Sequence, residues 1–463
     1  MQFEWSRLDY KEALTGLLGL TDLERVSGKF PHRRRYNLNR MEHLLHLLGN
    51  PHLGLPTVHI AGTKGKGSVA ALISSALSAD GYHPGLFTSP HLHSFRERIQ
   101  RINQPITEDE FVAVFSKIWP LVEKIGQNGE CDEVTTFELL TAMAFEYFRS
   151  KNTDINVVEV GMGGRIDSTN LVEPSVSVIT PISLDHTRVL GNTIEKIAKE
   201  KAGIIKTGAP VVVGPQSIEA IQVIRKFCRE KDAPMLSVDK ECSWGKIISD
   251  IYGQSFWVSS PWGNFEFWTP LLGRHQIENA VTSFVALQLL KEHGITVSHK
   301  ATEQGFRNVR WPARLEVLGQ QPLVVIDGAH NPHSALRLIN SLHDYFSFSR
   351  LIGIVGILQD KSLKGIVKEL APSLSVVIAT KSRHPRSASA SSVGIKFREL
   401  GVKTYVEAST AKALSIAQGI AEERDLIIVT GSLFVGAEAR ESLLHINPEI
   451  YPDLLPRELQ ISQ

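Results

Sequence analysis

The chain is poor in cysteine, has no long apolar run and carries almost no excess charge of either sign. Its three cysteines, Cys131, Cys228 and Cys242, are odd in number and far apart. That excludes a disulfide framework or a clustered zinc motif and fits a reducing compartment. No stretch approaches the ~18 apolar residues of a transmembrane helix. The opening residues Met1-Gln2-Phe3-Glu4-Trp5 include an acid and no apolar core, so they do not read as a secretory signal. A cytoplasmic protein with no membrane partner is expected. With 50 basic and 49 acidic residues the formal charge is +1, which gives no case for bulk nucleic-acid binding. Any phosphate or carboxylate site must therefore be local. The densest basic run, His32-Arg33-Arg34-Arg35, reads either as a solvated face or as a rim that attracts an anionic substrate.

What remains is ordinary globular material. Apolar residues make up 42% of the 463, enough for normal cores, and the length exceeds what one core usually serves. Two domains are expected, residues 1–300 and 301–463, with the boundary near 296–312. The first 50 or so residues read as helix and then loop. After them, short β-branched runs at 58–61, 85–88, 155–160, 175–180 and 210–213 alternate with helical patterns at 68–79, 108–125, 135–149, 193–203 and 218–231. That rhythm predicts a parallel sheet covered by helices. The 255–269 segment differs: aromatic and polar residues alternate around Pro261-Trp262-Gly263-Asn264, a hairpin signal. A helix is expected over 276–293. A second βα series follows Pro312, with strands at 323–326, 351–355, 375–379, 403–406 and 425–430. The tail from Pro448 reads as a surface wrap.

Gly62-Thr63-Lys64-Gly65-Lys66-Gly67-Ser68 lies between a predicted strand and a predicted helix. Its glycines let the backbone turn N–H groups toward a polyphosphate, and the helix adds its positive end. Lys66 is placed to meet the β- or γ-phosphate and the Ser68 hydroxyl to meet Mg²⁺. Glu159, at the C-terminal end of a predicted parallel strand, faces the ligand crevice and suits a hard cation. Read alone, other segments are plain. Ser89-Pro90-His91 is a turn, His186 a hydrogen-bonded histidine, Lys201 a partner of a helix C-terminus, and Asp327-Gly328 a turn.

Taken together these segments carry a resemblance that runs from about residue 36 to 440. The loop His59-Ile60-Ala61-Gly62-Thr63-Lys64-Gly65-Lys66-Gly67-Ser68 resembles that of the Mur ligase superfamily, with Lys64 where the folate branch usually has asparagine. Tyr36-Asn37-Leu38-Asn39-Arg40-Met41, Phe87-Thr88-Ser89-Pro90-His91-Leu92 with Arg96-Glu97-Arg98-Ile99, Glu159-Val160-Gly161-Met162-Gly163-Gly164-Arg165 and Leu184-Asp185-His186-Thr187 resemble the folylpolyglutamate synthase and dihydrofolate synthase family. So do Glu200-Lys201-Ala202-Gly203, Trp311-Pro312-Ala313-Arg314, Asp327-Gly328-Ala329-His330-Asn331-Pro332 and Thr430-Gly431-Ser432-Leu433-Phe434.

The resemblance implies an α/β fold of two domains: an N-terminal P-loop-type parallel-sheet ATPase domain and a C-terminal Rossmann-like domain. It implies ATP held by Gly62, Thr63, Lys64, Gly65, Lys66, Gly67, Ser68, Asn279, Arg314, Asp327 and His330. It implies Mg²⁺, two ions, on Ser68, Glu159, His186 and a carbamylated Lys201, and it admits K⁺. Ser89, Pro90, His91, Arg98 and Asp185 fall on the folate side, and His330 and Ser432 on the glutamate side. Lys66, Lys201, His186 and Arg314 are the implied catalytic groups.

The implied activity adds L-glutamate to a folate, and also to dihydropteroate in bifunctional members, through an acyl phosphate, as a monomer. Three other readings compete. A cell-wall Mur ligase acting on a UDP-linked precursor is disfavoured by the folate-side segment. An ATPase or kinase, or a non-catalytic nucleotide binder, is separated from a ligase by whether ADP release depends on glutamate.

Overall fold

The computed structural model describes residues 8–22, 37–127 and 133–449. The His32–Arg35 run, Tyr36, Cys131 and the tail beyond Glu449 lie outside the described residues. Among the described residues no helix is long and apolar enough to cross a membrane, and Cys228 and Cys242 are buried free thiols.

An eight-stranded sheet forms the first half. Its order is Gln104–Pro105, Ile99–Arg101, Pro84–Phe87, Ile155–Glu159, Thr57–Ala61, Val176–Ile179, Val211–Val213 and Met235–Ser237. From Pro84–Phe87 onward every pairing is parallel. The central strands are buried at every position, which is why they read as mainly apolar, β-branched runs with no exposed polar face. The helix Lys66–Ala79 follows the central strand and is buried over most of its length.

The sequence did not signal the two short antiparallel strands Ile99–Arg101 and Gln104–Pro105, or the edge strand Met235–Ser237. They are too short to show a period. The hairpin expected over 255–269 is present as Gln254–Ser260 and Gly263–Thr269, and a third strand, Ser243–Ser249, extends it into a separate antiparallel sheet. The expected helix over 276–293 is Arg274–Leu289 followed by a 3₁₀ turn. Within the 296–312 stretch a helix, His299–Asn308, packs on Lys66–Ala79. The approach is close enough that a Cβ on Gly305 would lie 2.3 Å from Ala76 Cα.

The second half holds a six-stranded sheet in the order Glu316–Gln320, Leu323–Ile326, Leu426–Thr430, Leu351–Val355, Val376–Ala379, Lys403–Val406. The first pair is antiparallel and the rest are parallel. Apolar clusters line both faces of this sheet.

Candidate active site

Both parallel sheets turn their strand C-termini toward one cleft of about 1290 Å³ between the two halves. Ligands of open α/β sheets bind at that edge.

The 62–68 loop bridges the strand Thr57–Ala61 and the helix Lys66–Ala79. Thr63 N and Lys64 N donate to Pro181 O at 3.0 and 3.2 Å, fixing the loop against the next strand's exit. Gly65 sits at φ 88° with no side-chain cap, so the first-turn N–H groups of the helix point into the cleft. Nothing larger fits there, because a Cβ on Gly65 would lie 2.3 Å from Asn279 Oδ1. Asn279, on the helix Arg274–Leu289, thus packs directly on the loop. Trp311 covers Gly67 from the other side.

Lys66 Nζ lies 3.6 Å from Glu159 Oε1. Glu159 ends its strand and is 3% exposed. Burial pushes its carboxyl up, while Lys66 and the Ser89 N–H, 3.2 Å from Oε2, pull the other way. Ser68 is buried in the same corner. Two hard oxygen donors beside the phosphate loop, one of them a buried carboxylate, fit Mg²⁺. His186 caps the short helix Thr187–Leu190 at φ 48°, its side chain half exposed in the cleft. Among the described residues no group of three His, Cys, Asp or Glu side chains is close enough to hold a metal by itself.

Lys201 is 4% exposed and its ammonium donates to Gly62 O at 2.6 Å. Burial, then the charge of Lys66, brings its pKa down to about 7. An amine so placed is substantially neutral near pH 7, the state that reacts with CO₂.

Across the cleft, Arg314 sits between two residues forced into left-handed backbone, Ala313 (φ 56°) and Leu315 (φ 48°). Such strain persists where the surroundings impose it. Here Arg314 Nη1 donates to Ala313 O at 2.9 Å and Leu315 N donates to Asp327 Oδ2 at 3.0 Å. Burial raises Asp327, and Arg314 opposes it.

His330 Nδ1 donates to Gly328 O at 2.8 Å, leaving Nε2 to accept from Lys64 Nζ at 3.1 Å. The Lys64 charge and then burial hold His330 down at about 4, so the ring is neutral. Ser432 caps the helix Leu433–Leu444 by accepting from Phe434 N, and it lines the cleft.

On the opposite rim, Arg98 Nε donates to His91 Nδ1 at 3.0 Å, and the Ser89-Pro90 bond is cis. Asp185 is placed differently from a free substrate-facing acid. Lys361 Nζ lies 3.0 Å from its Oδ1, and Asn331 Nδ2 and Lys64 Nζ lie 3.3 and 3.5 Å from its Oδ2. Burial raises its carboxyl, but the Lys64 and Lys361 charges outweigh that and keep it well below the ordinary range.

Sequence reading missed Lys361 and Asn331 as site residues. Asn331 lies within the Asp327-Gly328-Ala329-His330-Asn331-Pro332 motif. Lys361 lies in the loop between the strand Leu351–Val355 and the helix Leu363–Leu370, six residues past the strand's end, where no positional signal like that of Glu159 marks it. Asp167, which accepts from Met162 N at 3.0 Å and so shapes the glycine turn after Glu159, was also missed.

Comparison with known proteins places this geometry. Residues 60–287 match the Mur ligase middle domain and 313–433 match the Mur ligase, glutamate ligase domain. The chain is 35% identical to the dihydrofolate synthase/folylpolyglutamate synthase of Bacillus subtilis over 90% of its own length and 97% of that protein. It is 36% identical to the folylpolyglutamate synthase of Lacticaseibacillus casei over 87% of its length and 93% of that protein. Among solved structures, Mycobacterium tuberculosis folylpolyglutamate synthase complexed with ADP and AMPPCP superposes with a TM-score of 0.84 at 34% identity, covering 94% of this chain and 100% of that one. Escherichia coli FolC in complex with DHPP and ADP gives 0.83 at 28% identity, with 95% and 99% covered.

Proposed function

The chain belongs to the folylpolyglutamate synthase/dihydrofolate synthase family of Mur ligases, and from that premise we propose how its cleft works. It is an ATP-dependent ligase that joins glutamate to folates. The observation that carries the residue assignment is the meeting, across one cleft, of the phosphate loop with Arg314, Asp327 and His330 from the other half.

ATP lies along the 62–68 loop, with Asn279 behind it and Lys66 on the β- or γ-phosphate. Ser68, Glu159 and His186 would hold one Mg²⁺, and Lys201, once carbamylated, would serve a second. Bound Mg²⁺ neutralises phosphate charge. A folate carboxylate oxygen attacks the γ-phosphorus and ADP leaves. Lys66 and Arg314 neutralise charge as it develops on the transferring group. The neutral amine of glutamate then attacks the acyl carbon, phosphate departs, and the new amide nitrogen sheds its proton. Ser89, Pro90, His91, Arg98 and Asp185 stand on the folate side, and His330 and Ser432 on the glutamate side. Closure of residues 1–300 on 301–463 excludes water that would hydrolyse the acyl phosphate.

The proposal extends to both acceptors, dihydropteroate and tetrahydrofolate, to a supporting K⁺, and to a cytoplasmic monomer. Purified protein with ATP and Mg²⁺ should release phosphate only when glutamate and an acceptor are both present. Omitting bicarbonate or K⁺ in turn tests Lys201 and the monovalent ion. Silence with both acceptors, while ATP still binds, sinks the assignment.

A further inference from the structure

The 89–98 segment leaves its own sheet and is held by the other half of the molecule. Leu92 packs on the apolar cluster that includes Ala413, Val435 and Ala439. His93 sits against the helix Leu433–Leu444, where Arg440 Nη1 donates to its Nε2 at 2.6 Å and its Nδ1 donates to Glu441 Oε1 at 3.3 Å. Beyond that helix, Glu449 returns to the same segment. Its Oε1 accepts from Ser94 Oγ at 3.2 Å and from Tyr10 Oη at 2.5 Å, and its Oε2 accepts from Phe95 N at 3.0 Å. Burial and the Glu449 charge push the Tyr10 phenol up, so it stays a donor.

One carboxylate thus joins the helix Tyr10–Gly19, the 89–98 segment and the stretch after the helix Leu433–Leu444. Both outer pieces lie outside the two matched domains, which span 60–287 and 313–433.

We propose that Glu449 is a positioning residue for the folate acceptor. It acts through Phe95, whose peptide N–H it fixes and whose ring lies 4.3 Å from the His91 ring; His91 in turn accepts from Arg98. The inference rests on the reading of 89–98 as the folate side. Tyr10 and Glu449, outside the matched domains, then hold in place the acceptor wall that 89–98 forms within the middle domain.

The test uses the full chain with tetrahydrofolate and dihydropteroate as probes. Glu449→Ala should raise the acceptor KM by about ten-fold or more, the scale of losing charge-assisted hydrogen bonds. The KM for ATP should stay within about two-fold. Tyr10→Phe, which removes a single donor, should shift the acceptor KM in the same direction by less. Amide exchange over 89–98 should quicken in Glu449→Ala at temperatures well below its melting point. An unchanged acceptor KM, equal rises in the ATP and acceptor KM, or unchanged exchange over 89–98 overturns the proposal. If the native chain ligates neither acceptor, the functional reading fails separately, and exchange over 89–98 still decides whether Glu449 pins the segment.

Discussion

Lys201 shows how burial at a single residue couples stability to chemistry. Its folded pKa of about 7 lies below the ordinary 10.5, so between those values the unfolded chain binds the extra proton. The stability this group leaves to the fold therefore rises as pH climbs through that window and is lowest at its acid end. Lys201→Met removes the buried amine. In CO₂-free buffer the variant should melt higher than the native chain at pH 7, with the gap narrowing as pH rises, while ligase activity falls by at least about 100-fold. Melting curves from pH 7 to 9 check it; a gap that does not narrow would mean that Lys201 is not a buried, neutralisable amine. Lys64 makes a second case. Because its charge is the first cause holding His330 at about 4, Lys64→Asn should move the His330 titration upward, toward the ordinary histidine value. Proton NMR of the histidine ring protons reads this directly, and a titration left near 4 would sink the pairing.

Among the elements, the phosphate loop and the helix pair beneath the acceptor side are the least forgiving. Gly65→Ala combines a left-handed backbone with a Cβ placed 2.3 Å from Asn279 Oδ1. Calorimetric titration should show ATP affinity reduced by more than about ten-fold, and native affinity in this variant would contradict the loop geometry. The helices Leu38–Leu47 and Thr136–Ser150 are joined by Arg40, whose Nε and Nη2 reach Glu138 at 2.9 and 2.7 Å with both side chains almost buried. Glu138 also completes the capping box of Thr135. Arg40→Ala strands that carboxylate in the interior, and denaturant melts should show a loss of about 3–5 kcal/mol. Little change would mean that water reaches Glu138.

At the scale of the whole molecule, Asp185 is the polar junction of the two halves, with Lys64 from its own side and Lys361, Asn331 and His330 from the other. Residues that share one network lose their effects non-additively. Asp185→Asn and Lys361→Met should each lower kcat by about ten-fold or more, and the double variant should be no slower than the slower single one. Multiplicative losses would show that the two act separately.

The α/β class, most of the parallel strands of both sheets and the phosphate loop are legible in the sequence alone, while the short parallel edge strand Met235–Ser237 is not. Each of these is written locally, as short β-branched runs, most of them buried though Lys403–Val406 is not, and as glycines between a strand and a helix. The sequence also marked Glu159, since position at a strand's C-terminal end is enough to aim a side chain at the cleft. The rest follows from tertiary packing. It brought Lys64 to Asp185 and His330 across 121 and 266 residues of chain, set Lys361 opposite them, and carried Glu449 back to Ser94 and Tyr10. None of these pairs leaves a period or a spacing in the sequence, because each is made by where two sheets, the helix Tyr10–Gly19 and Glu449 come to rest.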